Sequence, residues 1–459
     1  MSDVGWIGLT VGVFLAGCLA GRLVNVAAVR FGPRGGSGAL WWSRGPKWLR
    51  DRLWNPEALL DQLQSLWRPN PHEAALTRGR GLSKLPVVGW FLPSHPTANA
   101  PLRDRLGPAT VELAAGGLLA GLFWQEVVNW QTWAPPGGPF LPDVARRFEC
   151  PWDATFTFAL HAAMFLSLLA ASVIDLRIML IPDGTTIPAG LLAVAASLTG
   201  RVWLVPLWFE DARVSRLAPV GARPDVPSVP SWISESPALH GLAACVAGAV
   251  AGAGVCWIVR WIGEKTLRKE AMGLGDVYLM GMVGAFLGWQ PVLTVFFLAP
   301  IAALVVVVPA KLVETVSGQA ATGEFPYGPW LALAAAAVTL FWGDVWPAVG
   351  SFFALGPFVL LAGLTIGVLL ALLLWLIGLT KRALGLDPPD WPAGYVSWSS
   401  ADTLTYLAAE TGDLDRPAHA ANRPARSWPG SAAGRGRLHG DRWRHGPPAS
   451  SSFRPTNRR

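Results

Sequence analysis

Two aspartates stand at the edges of apolar segments. Asp175 lies in Ala171-Ser-Val-Ile-Asp-Leu-Arg-Ile-Met-Leu-Ile-Pro-Asp183, and Asp276 closes Gly273-Leu-Gly-Asp276, where another apolar run begins. An ionisable group at a helix end in lipid is costly and usually marks a site. Two carboxylates held close share a proton. One then serves as general base toward water while the other donates a hydrogen bond to a carbonyl. Peptide hydrolysis by an aspartyl pair needs this arrangement, and it exists only if both side chains emerge on the same side of a membrane.

The neighbouring residues have physical uses. Gly273 and Gly275 permit a kinked entry into the helix that carries Asp276 and a close approach of substrate backbone. Pro182 breaks the helix that carries Asp175, and Asp183 is expected to cap the next helix, beginning near Thr185. The bland alternatives make Asp175 and Arg177 a snorkelling interfacial pair and Asp276 a helix cap. Glu112 and Arg22 fit either a mutual polar contact inside a bundle or a position near the interface.

Composition decides what carries these residues. The chain has 459 residues, 52% hydrophobic and 15% charged, with a mean hydropathy of +0.38. A soluble protein carries about 25% charge. The apolar residues cluster into runs of roughly 17–25, the length that crosses a bilayer as helix. Helices satisfy their own backbone groups in lipid, so an all-α polytopic membrane protein is expected. The 25 Trp residues suit membrane interfaces. Of four cysteines, Cys18, Cys245 and Cys256 fall in apolar runs and read as small packing residues, while Cys150 lies in a polar loop. None are spaced Cys-x-x-Cys, so no metal site is expected.

The net charge is +7, with basic residues crowded between Arg30 and Arg105 and after Lys381. These patches flank apolar runs, so membrane topology explains them better than nucleic acid does. About nine spans are expected: Val4–Val29, Pro108–Val128, Ala154–Ile174, Thr186–Phe209, Ala238–Ile262, Gly275–Trp289, Pro291–Ala310, Tyr327–Phe341 and Ser351–Leu379. Arg22 and Arg30 lie toward the far end of the first, the reverse of a cleaved signal peptide, so it reads as an anchor with its N-terminus outside. Counting onward, Asp175 ends an inward-going helix and Asp276 begins an outward-going one. Both carboxylates then meet the cytoplasmic boundary. The expected organisation is an anchor over 1–30, a cytoplasmic segment over 31–107, a membrane core over 108–345, an added span over 346–384 and a disordered basic cytoplasmic tail over 385–459.

At these residues the chain resembles the type IV prepilin peptidases, membrane aspartyl proteases of the GxGD class. The resemblance runs through Gly17 to Arg30 with Asn25, Leu85-Pro-Val-Val-Gly-Trp-Phe-Leu92, Arg105 to Gly116 with Glu112, and Ile174-Asp175 through Ile181-Pro-Asp183. It continues in Ala271-Met-Gly-Leu-Gly-Asp276-Val-Tyr-Leu279 and Pro326-Tyr-Gly-Pro-Trp-Leu-Ala-Leu333. Matches in this order, over roughly residues 10 to 345, are far more specific than any one motif.

The resemblance implies that Asp175 and Asp276 are the catalytic pair, with Gly273, Gly275, Pro182, Asp183, Asn25 and Glu112 as supporting motif residues. It implies cleavage of short, positively charged leaders from prepilins and pseudopilins, by a multi-pass protein of the inner (plasma) membrane. No cofactor is implied for proteolysis, and no nucleic-acid partner. S-adenosylmethionine is implied only if the family's N-methylation of the product is retained. Two departures bear on this. Residues 31 to 107 hold no cysteine, where bifunctional members carry two Cys-x-x-Cys pairs thought to bind zinc, and position 278 is Tyr where the family usually has Lys.

Two other classes make different demands. A transporter needs acidic groups near the bilayer midplane and a repeat relating two halves, and neither is visible. A non-catalytic scaffold that binds leader peptides would draw its support from Tyr278.

Overall fold

The computed structural model describes residues 3–30, 85–92, 102–129, 151–178, 181–200, 204–208, 232, 235–267, 272–316, 326–353 and 358–383. Among these residues every regular element is helical. The helices are α1 (Asp3–Arg30), α2 (Leu102–Phe123), α3 (Pro151–Ile178), α4 (Asp183–Ser197) and α5 (Pro237–Leu267). They continue with α6 (Leu274–Leu287), α7 (Trp289–Val316), α8 (Gly328–Leu340), α9 (Trp342–Phe353) and α10 (Phe358–Ala383). A 3-10 turn at Val88–Phe91 precedes α2, and a π-turn at Trp124–Val128 extends it.

Among the described residues, five stretches are long and apolar enough to cross a membrane: Val4–Ala28, Arg105–Val128, Ala154–Leu176, Pro237–Gly263 and Trp289–Pro309. The pair α8 and α9, bent by 97°, makes a sixth if it is one span. The chain is an all-α polytopic membrane protein, and the ends of its five long stretches agree with the expected spans to within a few residues. Side chains such as Leu304, Val305, Leu364 and Leu372 are exposed on α7 and α10. In lipid such faces carry no penalty, because the acyl chains are as apolar as leucine.

The fourth expected span, Thr186–Phe209, is corrected. Its helix stops at Ser197, and the chain turns through Gly200 at φ 71°. A Cβ there would lie 2.6 Å from the Pro237 carbonyl oxygen, so the turn is pressed against the start of α5. Residues 204–208 are held as irregular chain: Trp289 Nε1 donates to the Leu207 carbonyl at 2.9 Å and Gln290 Nε2 to that of Pro206 at 2.8 Å. The Leu207 N–H donates to His240 Nε2 at 3.0 Å. These side chains supply partners the missing helix would have given. The eighth span ends as expected near Phe341, but the chain bends there into the short α9, and the last long helix begins at Phe358 rather than near Ser351. Residues 31–84 and 93–101 of the expected cytoplasmic segment, and the tail from 384 on, lie outside the described residues.

The centre of the bundle is α6. Leu279, Met280, Val283, Phe286 and Leu287 are wholly buried, in one core cluster with residues of α3, α5, α7 and α8. Its contact with α5 is backbone on backbone: a Cβ at Gly248 would fall 2.0 Å from the Gly284 carbonyl oxygen, and the reverse is equally tight. Small residues allow helices in lipid this approach, which substitutes dispersion contacts for a hydrophobic driving force. The three cysteines read as packing residues are indeed buried and free.

Candidate active site

Asp175 lies in the last turn of α3 and is buried. Its Oδ2 accepts the Gly328 N–H at 3.0 Å, from the first residue of α8. A Cβ at position 328 would come 2.6 Å from that oxygen and 2.7 Å from Ile181 Cδ1. Glycine is therefore required for the amide to reach the carboxylate. The first amides of a helix have no partner within it and carry partial positive charge, so a carboxylate is well placed there.

Asp276 is the third residue of α6, also buried, and its Oδ2 accepts the Gly273 N–H at 3.2 Å. The helix-cap reading is thus met in part, and it occupies one oxygen of the two. Asp276 lies within electrostatic reach of Asp175. Ile181 wedges the arrangement: a Cβ on Gly275 would sit 2.8 Å from the Ile181 Cβ, so the α6 entry, the α8 start and the Ile181-Pro182 turn interlock. From α5, Arg260 Nη1 donates to the Met272 carbonyl at 2.8 Å and fixes the approach to Gly273. Gly273 itself has φ −70°, open to any residue. Among the described residues, the second oxygen of each aspartate accepts no hydrogen bond.

Pro182 is buried and stands just ahead of α4, where its carbonyl accepts both the N–H (3.0 Å) and the Oγ1–H (2.7 Å) of Thr185. The expected capping role of Asp183 is corrected, because Asp183 is already inside the first turn and caps nothing. Burial pushes its carboxyl up to about 6. It lies within electrostatic reach of Tyr278, two residues beyond Asp276.

Asn25 and Glu112 are buried in the contact between α1 and α2. Asn25 Nδ2 donates to the Pro108 carbonyl at 3.0 Å. Glu112 accepts from Arg22 Nε at 3.2 Å, from Trp90 Nε1 at 2.9 Å and from the Val87 N–H. Arg22 also donates to the Leu85 carbonyl at 2.9 Å. Of the two readings of Arg22 and Glu112, the mutual polar contact is the one found. Val87 sits at φ 59°, ψ −65°, with Val88 N–H bonded to the Pro86 carbonyl. That is a γ-turn of the rare, strained kind, at the only non-glycine residue of positive φ among those described.

Sequence reasoning missed Val87 and Trp90 as partners of Glu112. It also missed a buried pair, His161 Nδ1 and Glu126 Oε1 at 2.5 Å, which joins α3 to the π-turn. A carboxylate inside the expected span Pro108–Val128 was the available signal for Glu126. Among the described residues no group of three or more His, Cys, Asp or Glu side chains gathers as a metal cluster would.

The fold and the pair define a class: a polytopic helical membrane protein with two buried carboxylates on separate helices, each anchored by a glycine amide. Comparison with known proteins narrows it. Residues 233–308, which include Asp276, match the model of the Type IV leader peptidase family. The chain is 29% identical over 198 residues to the prepilin leader peptidase/N-methyltransferase of Escherichia coli (strain K12), covering 42% of this chain and 69% of that one. It is 32% identical over 179 residues to the protein of that name from Pseudomonas putida, 39% of this chain and 48% of that one. To the one from Stutzerimonas stutzeri it is 38% identical over 98 residues, 21% and 32%. Apart from the first, the chain thus covers half or less of these relatives' length. No solved structure matched. The chain is thus similar to the type IV leader peptidases over residues 233–308, and to their named relatives over up to 198 residues.

Proposed function

We propose that this protein is a membrane aspartyl endopeptidase that removes the leaders of prepilins and pseudopilins at the cytoplasmic face of the inner membrane, with Asp175 and Asp276 as its catalytic pair. One observation carries the reading. Two buried carboxylates, from α3 and α6, are each held through one oxygen by a backbone amide, and one side chain, Ile181, lies against both Gly275 and Gly328. The remaining oxygens are those a water molecule and a peptide carbonyl require. The ionised partner takes a proton as water adds to the scissile carbonyl, and the protonated partner donates to the carbonyl oxygen. The nitrogen that leaves takes up a proton as the C–N bond breaks. The Gly328 and Gly273 amides keep both side chains in position, so little reorganisation is needed at the moment of reaction.

The cytoplasmic placement rests on the basic turns, and the division at residues 30, 107, 345 and 384 remains our reading of domain organisation. Residues 31–107 would form the cytoplasmic segment. The relatives' printed names include N-methyltransferase activity. If that activity is retained, S-adenosylmethionine supplies the methyl group. Most of the segment that would serve it lies outside the described residues, so no side chain is assigned to that role.

The test is cleavage of a prepilin in membranes by the parent, Asp175→Asn and Asp276→Asn proteins at matched expression. Cleavage by the parent and by neither variant is expected. Survival in either variant would remove that residue from the mechanism. The intact mass of the cleaved product then reads whether a methyl group has been added.

A further inference from the structure

The turn that reaches Glu112 lies deeper than its place in the sequence suggests. Arg22 stands six residues inward of Ala28, where the first apolar stretch ends, and Glu112 seven residues inward of Arg105, where the second begins. At about 1.5 Å of rise per residue, these two anchors sit roughly 9–10 Å inside the ends of their stretches. A Cβ at Gly21 would fall 2.6 Å from the Glu112 Cα, so α1 and α2 touch at this level and leave no room for the turn between them. It is held at their rim: by Arg22 Nη2 through the Leu85 carbonyl at 2.9 Å, and by Glu112 through the Trp90 indole at 2.9 Å and the Val87 amide.

Water would serve the amides of an irregular turn, and hydrocarbon would not. Here they are met within the chain. Val87 donates to Glu112, Val88 to the Pro86 carbonyl at 2.6 Å, Gly89 to that of Leu85 at 3.0 Å and Leu92 to that of Gly89 at 3.2 Å. The strained γ-turn at Val87 is the conformation that brings its amide to the carboxylate. The outer face is apolar. Val88 and Phe91 stand three apart on the 3-10 turn and so share a face; both are exposed, as is Leu85. Leu19 and Leu23, within a turn of Arg22, and Leu113, next to Glu112, are exposed as well. Apolar exposure is therefore found on the turn and on both helices that hold it. In the sequence Arg78, Arg80 and Lys84 precede the turn, and Arg103 and Arg105 follow it. Such flanking cations favour anionic headgroups above an inserted apolar segment.

We propose that residues 85–92, inside the segment read above as cytoplasmic, form a re-entrant turn inserted among the acyl chains of one leaflet. Leu85, Val88 and Phe91 are its lipid contacts, and Arg22 and Glu112 hold it at depth. The leaflet is the cytoplasmic one on the topology given above, while the insertion itself rests only on the membrane-spanning character of α1 and α2.

The experiment uses the full-length protein with Val88→Cys or Phe91→Cys on a Cys150→Ser background, labelled with a nitrobenzoxadiazole dye. Two sites are labelled so that the test survives if one variant fails to fold. Cys18, Cys245 and Cys256 are buried, and the background protein treated in the same way gives the signal to subtract. Leu23→Cys, exposed on α1, is the lipid reference. The proteins are reconstituted in vesicles of phosphatidylcholine and phosphatidylglycerol. The quenchers are iodide on both sides of the bilayer and phosphatidylcholine with a doxyl group on its acyl chain. Doxyl quenching at 88 and 91 should equal that at 23, and iodide should quench no more than it does at 23. Iodide quenching without doxyl quenching places the turn in water. Quenching by both places it among headgroups, and quenching by neither shows it covered by protein, such as residues 31–84. Each of these three results overturns the proposal, and none of them bears on the Asp175–Asp276 pair.

Discussion

Glu112 and the Asp175–Asp276 pair are both buried carboxylates in a membrane bundle, and they are finished differently. Glu112 takes three donors, from Arg22, Trp90 and the Val87 amide, across α1, α2 and the turn before α2. Each aspartate takes one, a backbone amide, and keeps an oxygen open. A carboxylate fully supplied with donors organises the structure around it and has nothing left for a substrate. One held by a single amide is positioned but unfinished. Burial and charge alone would not separate the two sites, whereas counting donors at each oxygen does.

Neutralising the aspartates should therefore harm chemistry and spare the fold. Asp175→Asn and Asp276→Asn should each reduce cleavage by about 10³-fold or more, in line with single losses from catalytic groups that act as a unit. Their unfolding midpoints in detergent should stay close to the parent's. A matched fall in stability would erase the distinction drawn here.

Glu112→Ala should do the reverse. Removing one partner of a buried charged contact costs about 3–5 kcal/mol, and here the lost carboxylate is the acceptor shared by Arg22, Trp90 and the Val87 N–H. Thermal unfolding should show a large drop, and cleavage per folded molecule should remain measurable. Val87→Gly sharpens the same side of the comparison. A β-branched residue in a left-handed turn costs about 1–3 kcal/mol, and glycine relieves most of that while keeping the amide on Glu112. A small rise in the unfolding midpoint is expected.

The smallest effect concerns Asp183, between the two extremes, with no side-chain cap and no catalytic role assigned. Its carboxyl rises from 3.8 to about 6 in the folded chain, because burial disfavours the charged form. The folded state then binds the proton more tightly than the unfolded chain. Stability contributed by this group is present below about 4 and is lost as pH rises through about 6. Asp183→Asn should flatten that slope, matching the parent in acid and exceeding it slightly at neutral pH, as read by unfolding midpoints across the range.

Much of this was legible in the sequence, for a physical reason. Spans such as Ala154–Leu176 and Trp289–Pro309 announce themselves because lipid tolerates only long apolar helices. The aspartates stood out because charge at such a helix end is rare. What stayed hidden depends on contacts between distant residues. Nothing near Asp175 points to Gly328, 153 positions away, whose amide holds it. The early stop of α4 at Ser197 follows from the pressing of Gly200 on Pro237, and the 97° bend between α8 and α9 likewise leaves no periodic trace. The pairing of His161 with Glu126 needed the π-turn to bring that carboxylate round to α3.

The burial of α6 has a consequence for how the protein is made. Its 14 residues rise about 21 Å as helix, short of the roughly 30 Å of a bilayer's hydrocarbon. Apart from Leu274 and Tyr278, its side chains are covered by protein. A ribosome-bound translocon sorting one segment at a time has little reason to release α6 into lipid alone. It must enter alongside α5, to which the Gly248–Gly284 contact clamps it. Asp276 therefore meets Asp175 only once its neighbours are in the membrane, and Gly328 follows later still in synthesis. On the peptidase reading, a nascent chain stalled before α8 should be inert, because Asp175 then lacks the Gly328 amide.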